Sequence, residues 1–331
     1  MKKQQNFLLF LSLFLLLVVL VINFSAEKVT GKSSGHKTKR GYIFDRNLHP
    51  IAISLENYKA YYYIKNNFFL SSSDLEILKK YLGSTINLSK KGIILLSEDL
   101  SLEEVERLKK EKNVIIEKTF KRKLLQPYLK TLVGETFNGY GVSGLEKVFD
   151  EKLSMGEPLI LSIDLNLEKK IYNIIHNLNL PAFAIAIFDL YTGEVLGYME
   201  SENARLFDNY YPLSFFDLPP TEIKTFKWIL GEKPILKEKN ITKINTWHIA
   251  KWYMDKVCNG SLIPTVLRSQ TKVCEPNLQL FEKNEYHYAL GNIFITVAFK
   301  DDKLILTSFA LNSQNNELLN QKILNYILAQ L

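Results

Sequence analysis

Thr221-Glu222-Ile223-Lys224 places a hydroxyl and a primary amine three positions apart, one turn of a helix. At that spacing a lysine can take the hydroxyl proton as the oxygen attacks an acyl carbon, so a poor nucleophile becomes a usable one. Threonine is a hindered form of that nucleophile, because its methyl crowds the approach and restricts χ1. A frame shifted by three reads Lys224-Thr225-Phe226-Lys227, with a lysine in the nucleophile's place. The first frame keeps Pro219-Pro220 directly before the nucleophile, and we read the site that way. Four-residue patterns are common, and Ser-x-x-Lys also occurs at Ser25–Lys28, Ser34–Lys37 and Ser269–Lys272. The first two fall in a polar stretch and the third lies far downstream. Lys272-Val273-Cys274 supplies one more ammonium, ahead of the last apolar runs, but no glycine follows it to let a substrate approach the backbone.

The elements that must position these residues are short and mixed. Tyr42-Ile43-Phe44, Ile51 to Ile53 and Tyr58 to Ile64 are β-prone runs, with a turn at Asp45-Arg46-Asn47. Ser73 or Asp74 can cap a helix reaching Leu82, and Gly92 to Leu96 is strand-like. Ser101-Leu102-Glu103-Glu104 has capping-box spacing ahead of a helix to about Lys110, and Val114 to Ile116 follows as a strand. Leu159 to Asp164 reads as an apolar strand, and Asn166 to Asn177 carries Leu167, Ile171, Ile174 and Ile175 at helical spacing. Ala182 to Asp189 and Glu194 to Tyr198 form a hairpin in which Gly193 takes a positive φ. Phe294 to Phe299 and Leu304 to Phe309 are two more strands, and an amphipathic helix closes the chain from Asn316 to Leu328. Strands at both ends with helices between give an α+β class, an antiparallel sheet covered by helices.

The chain has 331 residues, with 47% hydrophobic and 23% charged positions. Lys and Arg exceed Asp and Glu by 42 to 35, a modest excess that argues against a dedicated nucleic-acid binder. Phe7 to Phe24 is an 18-residue run broken only by Ser12 and Asn23, at the lower limit for crossing a hydrocarbon core of about 30 Å. A cleaved signal peptide is the competing reading, although such apolar regions are usually only about 7–15 residues long. Glu27 to Lys39 reads as an exposed tether. Cys258 and Cys274 allow either a disulfide or two buried thiols. The five histidines show no ligand spacing with them, so no metal site is expected.

Four segments, in order, carry a family resemblance. Arg40-Gly41-x-Ile43-x-Asp45-Arg46-Asn47 with Ile51-Ala52 resembles the opening of the class B penicillin-binding protein pedestal. Gly141-x-x-Gly144-Leu145-Glu146-Lys147-x-Phe149-Asp150 is similar to the junction segment of that family. Ile160-Leu161-Ser162-Ile163-Asp164-Leu165-Asn166-Leu167 resembles the start of its transpeptidase domain, and Asp189-x-x-Thr192-Gly193-Glu194-Val195-Leu196 its first sheet hairpin. Thr246 to Pro264, with Ile249-Ala250, Tyr253 and Asn259-Gly260, resembles a late helix and turn, and the short link after Asp150 resembles the cell-division branch.

The resemblance implies residues 1–6 as a cytoplasmic tail, 7–24 as a single-pass anchor, 25–39 as a tether, 40–157 as a dimerisation-type pedestal and 158–331 as a shortened transpeptidase-like domain outside the cytoplasmic membrane. It implies a membrane glycosyltransferase, other division proteins and peptidoglycan as partners, and no cofactor. Members of this family need Ser-x-x-Lys, Ser-x-Asn and Lys-Thr/Ser-Gly. Here Thr221 and Lys224 replace the first. Ser-x-Asn occurs only at Ser201–Asn203 and Ser313–Asn315, outside the family's position. Of the third element Lys272 alone remains. Lys227 to Thr246 is only 19 positions, too few for the helical insert the family carries there. The expectation is therefore a degenerate wall-synthesis homologue. A minimal acyl transferase using Thr221 and Lys224, or a wall-binding module, are the alternatives. Asp45 and Arg46 are expected to hold the pedestal turn, Glu146 to bridge the domains or be solvated, and the tryptophans to fill the core.

Overall fold

The computed structural model describes residues 39–64, 71–83, 92–178, 180, 182–202, 206–208, 210–212, 216, 243–269, 271–290, 292–310 and 316–331. The anchor expected at 7–24, the tether up to residue 38, and Thr221 and Lys224 lie outside them. No helix among the described residues is long and apolar enough to cross a membrane.

The pedestal is built around one long strand. β1 (Ile43–Phe44) leads to β2 (Pro50–Ile64), which runs through the polar Glu56-Asn57 break that the sequence suggests. It does so because Glu56 and Asn57 have partners, Phe120 and Thr119, on the neighbouring strand. Helix α1 (Ser72–Leu82) is capped by Ser71, two or three residues before the expected cap, in a box with Asp74. Strand β3 (Gly92–Ser97) and helix α2 (Leu102–Leu108) follow, the helix closed by the Ser101–Glu104 box. β4 (Val114–Leu124) then pairs with β2 from Ala52↔Leu124 to Tyr62↔Val114. Read alone, Glu117 to Lys123 is too charged to suggest a strand, and pairing with β2 overrides that preference. Alternation on β2 sends Ala60, Tyr62 and Ile64 to one face, against Ile77 and Leu78 of α1 and Val105 and Leu108 of α2.

The junction comprises α3 (Lys130–Val133), the hairpin β5 (Thr136–Phe137) and β6 (Tyr140–Gly141), α4 (Gly144–Val148) and α5 (Asp150–Ser154). β7 (Leu159–Ile160) then pairs in parallel with β1. The expected strand to Asp164 stops at Ile160 because the chain turns to other partners. Ser162 N–H donates to the carbonyl of Val266 and Asp164 N–H to that of Leu196.

The second domain places α6 (Leu165–Leu178), β8 (Ala182–Asp189), β9 (Val195–Glu200), the small ladder of β10 (Tyr210–Pro212) and β11 (Lys243–Asn245), α7 (Thr246–Val257), β12 (Glu285–Leu290), β13 (Ile293–Lys300), β14 (Lys303–Ala310) and α8 (Asn316–Leu328) in sequence. Its sheet is antiparallel throughout, in the order β12-β13-β14-β8-β9. Leu304 and Leu306 of β14 face α7, with Ile249, Tyr253 and Met254, while Ile305 and Phe309 face α6 and α8, with Ile171, Ile323 and Ile327. Gly193 has the expected positive φ of 77°, and a Cβ there would lie 2.6 Å from the carbonyl oxygen of Ile263.

A buried ion cluster fastens the pedestal to the junction. Arg40 donates to Glu146 Oε2 at 2.8 Å, to Asp150 Oδ1 at 2.7 Å and to the carbonyl of Gly139 at 2.6 Å. Arg122 of β4 reaches the other oxygen of Glu146 at 2.6 Å and the carbonyl of Gly41 at 2.8 Å. Glu146 is 1% exposed, so it is not solvated, and both its arginine partners lie within residues 40–157. The turn at Asp45 and Arg46 does join the domains. Buried Asp45 accepts the N–H groups of Asn47 and His49 and, at 3.4 Å, that of Leu165, while Arg46 N–H donates to Ile163. Arg46 also pairs with Glu194 on the sheet hairpin at 3.4 Å.

Cys258 and Cys274 form a disulfide, with Cα atoms 5.8 Å apart, tying the end of α7 to the segment that leads to β12. Glu146→Ala is expected to cost about 3–5 kcal/mol, because two guanidinium groups lose a buried partner, and urea unfolding of the variant measures it. Cys274→Ser is expected to cost roughly 3 kcal/mol for a loop of this length, read as a lower midpoint that added reductant does not change further.

Candidate functional site

Of the expected catalytic residues, only Lys272 is described. It lies on an irregular segment beside the hairpin turn, where Val273 N–H donates to the carbonyl of Tyr191. Its ammonium is bonded to Glu275, rests 4.3 Å from the centre of the Tyr191 ring and is half exposed. The bond to Glu275 raises its pKa further above the range in which an amine could accept a proton. The sequence places Lys272 immediately before the last two strands. The structure puts a further strand, β12, between them, and Lys272 is not on it. That strand was missed because Glu285-Tyr286-His287-Tyr288 mixes charge and aromatic residues without an apolar run. Ser201 spends its hydroxyl on the N–H of Phe183 at the end of the first hairpin, while Asn203, Ser313 and Asn315 lie outside the described residues.

β12 is the edge of the sheet, and the side chains it turns toward α7 are two tyrosines. Tyr288 meets Tyr253 of α7 hydroxyl to hydroxyl at 2.7 Å and receives the ring of Phe216, five residues before Thr221, edge-on at 5.1 Å between centroids. Tyr286 packs against Tyr253 at 5.1 Å and Phe281 at 5.9 Å, and Phe281 stacks on Phe299. Burial drives the Tyr253 hydroxyl pKa upward, so it stays protonated and serves as a neutral hydrogen-bonding group. This face of the edge strand is packed with rings.

On its other face, β12 carries an acid–histidine–hydroxyl line that the sequence did not suggest. Glu285 lies 3.3 Å from His287 Nε2, and His287 Nδ1 lies 3.0 Å from Thr296 Oγ1. Such a line resembles the relay that activates a nucleophilic hydroxyl. Thr296, however, is fully buried, and its oxygen also accepts from Asn320 of α8 at 2.9 Å, so no acyl group can reach it.

Two further titratable groups are buried in the sheet domain. His248 holds the α7 cap with Asn245, and burial pushes its imidazole down to about 4, keeping it neutral. Glu168 of α6 accepts the N–H of Tyr198 on the other sheet edge, β9, with its second oxygen unpartnered. Complete burial pushes its carboxyl up to about 8, against the weaker opposing pull of the Tyr198 bond. Among the described residues no group of three or more His, Cys, Asp or Glu is placed to hold a metal.

No protein-family model matches the chain, and no curated protein matches its sequence. Solved structures do match. A peptidoglycan synthetase from Bifidobacterium adolescentis ATCC 15703 superposes with a TM-score of 0.55 at 13% identity, over 89% of this chain and 95% of that one. Penicillin-binding protein 2X from Streptococcus thermophilus gives 0.57 at 12% identity, over 89% and 79%. Penicillin-binding protein 2 from Helicobacter pylori gives 0.58 at 12%, over 88% and 97%. The chain therefore has the penicillin-binding protein fold, with the pedestal and the sheet domain both included in the match.

Glu168 generates a prediction about pH. Its folded pKa lies above the unfolded value, so its contribution to stability is complete below pH 4.5 and is lost as pH rises through about 8. Glu168→Gln, which mimics the protonated acid, is expected to flatten the alkaline fall in thermal midpoint between pH 6 and 9. An unchanged profile would show that Glu168 is ionised in the fold.

Proposed function

We propose that this chain is a membrane-anchored, division-type homologue of the penicillin-binding proteins that serves septal wall synthesis as a structural partner and not as a transpeptidase. The observation that carries the reading is the edge strand β12. The strand directly before the last two is where the family needs Lys-Thr/Ser-Gly, and here it turns Tyr286 and Tyr288 onto Tyr253, Phe216 and Phe281. An acyl-transfer site uses backbone N–H groups to hold the developing oxyanion and needs open space beside them. Rings fill the inward face of that strand. The altered Thr221-Glu222-Ile223-Lys224 and the short stretch from Lys227 to Thr246 point the same way.

In this reading Phe7 to Phe24 crosses the cytoplasmic membrane once, with the pedestal and the sheet domain outside. The anchor and pedestal contact the membrane glycosyltransferase that polymerises glycan strands. The intact Arg40 cluster supports a scaffold role, because it keeps the pedestal rigid without contributing to chemistry. The competing reading, an acyl transferase using Thr221 and Lys224, makes the opposite prediction in one assay. Full-length chain incubated with a fluorescent penicillin is expected to carry no label after denaturing electrophoresis. Covalent labelling that disappears in Thr221→Ala would overturn the proposal.

A further inference from the structure

We propose that the outer edge of β4 is a docking site for an acidic, extended segment of a partner protein, which joins the pedestal sheet as an additional strand. This goes beyond the catalytic question, since the site is remote from Thr221 in sequence and holds whether or not acyl transfer survives.

The first observation is an unpaired edge. β4 is bonded along its length to β2, and no described strand lies on its other side. Two flanking bonds fix which residues point outward. Leu125 N–H donates to Ile51 and Tyr63 N–H to Asn113, each at 2.8 Å, so the odd-numbered residues of β4 face β2. Antiparallel pairing alternates, which turns the N–H and C=O groups of Ile116, Lys118 and Phe120 away from β2. None of the 11 residues of β4 is fully buried. A groove of about 830 Å³ runs from here across the sheet face, lined by Ile93 of β3, Tyr61 of β2 and Ile115, Ile116, Glu117, Lys118 and Phe120 of β4. It offers apolar contacts on both faces of the strand, as strand addition requires for alternate side chains.

The second observation decides the occupant. Edges are usually blunted by proline, a bulge, a covering element or charged side chains, lysine above all, which oppose pairing with a like strand. β4 has no proline, and its register with β2 runs without a bulge. What it has instead is charge. From Arg107 to Lys123 there are eight basic residues against two acidic ones, in a chain whose whole net charge is +7. Within β4 itself Lys118, Lys121, Arg122 and Lys123 stand against the single acid Glu117. Lys118 pairs with Glu56 and Lys121 with Asp99 in exposed, screened pairs, while Arg122 is spent on buried Glu146. A basic edge repels a second copy of itself, which excludes self-pairing, and it attracts a strand of opposite sign.

The test uses full-length chain in detergent micelles and a fluorescein-labelled ten-residue peptide of alternating valine and glutamate, read by anisotropy. Binding is expected to be at least tenfold tighter than for the alternating valine–lysine peptide. It should weaken at least tenfold when alternate peptide nitrogens are methylated, because strand addition needs those N–H groups. Ile116→Pro should weaken it equally, since that N–H points outward and its loss spares the β2–β4 ladder. Should that variant fail to fold, the methylated peptide decides, as it leaves the protein untouched. No binding of the valine–glutamate peptide would overturn the proposal. So would equal binding of its methylated form, or stronger binding of a single-stranded 20-mer oligonucleotide or of phosphatidylglycerol vesicles.

Discussion

The fold depends first on one buried carboxylate. Glu146 offers an oxygen to each of two guanidinium groups, Arg40 at the start of the described fold and Arg122 near the end of β4. Burying these charges is expensive, and the cluster offsets that cost only because nearly every donor finds a partner. Arg40 also holds Gly139 in the β5–β6 hairpin and Asp150 in α5, and Arg122 holds the carbonyl of Gly41. Five segments separated by up to 110 positions therefore converge on one point. Lysine could not replace either arginine, because a single ammonium cannot make parallel bonds in fixed directions. The sheet domain then docks through the next residues of the same strand and turn, where Asp45 caps Leu165 and Arg46 meets Glu194.

Much of this architecture was legible in the sequence, and the exceptions have physical causes. The Ser101–Glu104 box, the Gly193 turn, the pair Asn259-Gly260 and the closing helix are local signals that short stretches carry by themselves. The structure places them as expected, with Asn259 and Gly260 both at positive φ. β4 and β12 were misjudged or missed because their stability lies in their partners. Lys121 and Lys123 enter a strand because Leu55 and Ile53 lie opposite, and Tyr286 and Tyr288 because α7 offers Tyr253. Glu146 was expected to bridge the domains or be solvated, and only the arrival of two distant arginines explains its burial. The aromatic packing on β12 likewise needed the fold, since Phe216, Tyr253, Phe281 and Tyr288 are dispersed in the chain.

That aromatic packing and the retained scaffold describe one pattern. The residues that hold the pedestal, junction and first hairpin together are linked by named side-chain hydrogen bonds and ion pairs. β12, at the edge of the sheet, turns Tyr286 and Tyr288 onto Tyr253, Phe281 and Phe216. Trp247 follows the same rule, stacked on Tyr198 and tilted against Phe207 under the sheet, a core filler rather than a ligand platform.

The parallel pairing of β1 with β7 carries a consequence for synthesis. Ile43 lies opposite Leu159, so the first strand of the fold has no partner on that side until more than a hundred further residues have been made. At roughly 5–20 residues per second, this interval is on the order of ten seconds. During that time Arg40 also lacks Glu146, and β2 can pair only with strands that emerge before the junction. The pedestal sheet is thus free to assemble early, while its closure must await the first residues of the second domain. The chain is locked by a contact between its beginning and its middle, and a ribosome that pauses before Leu159 would leave the molecule open.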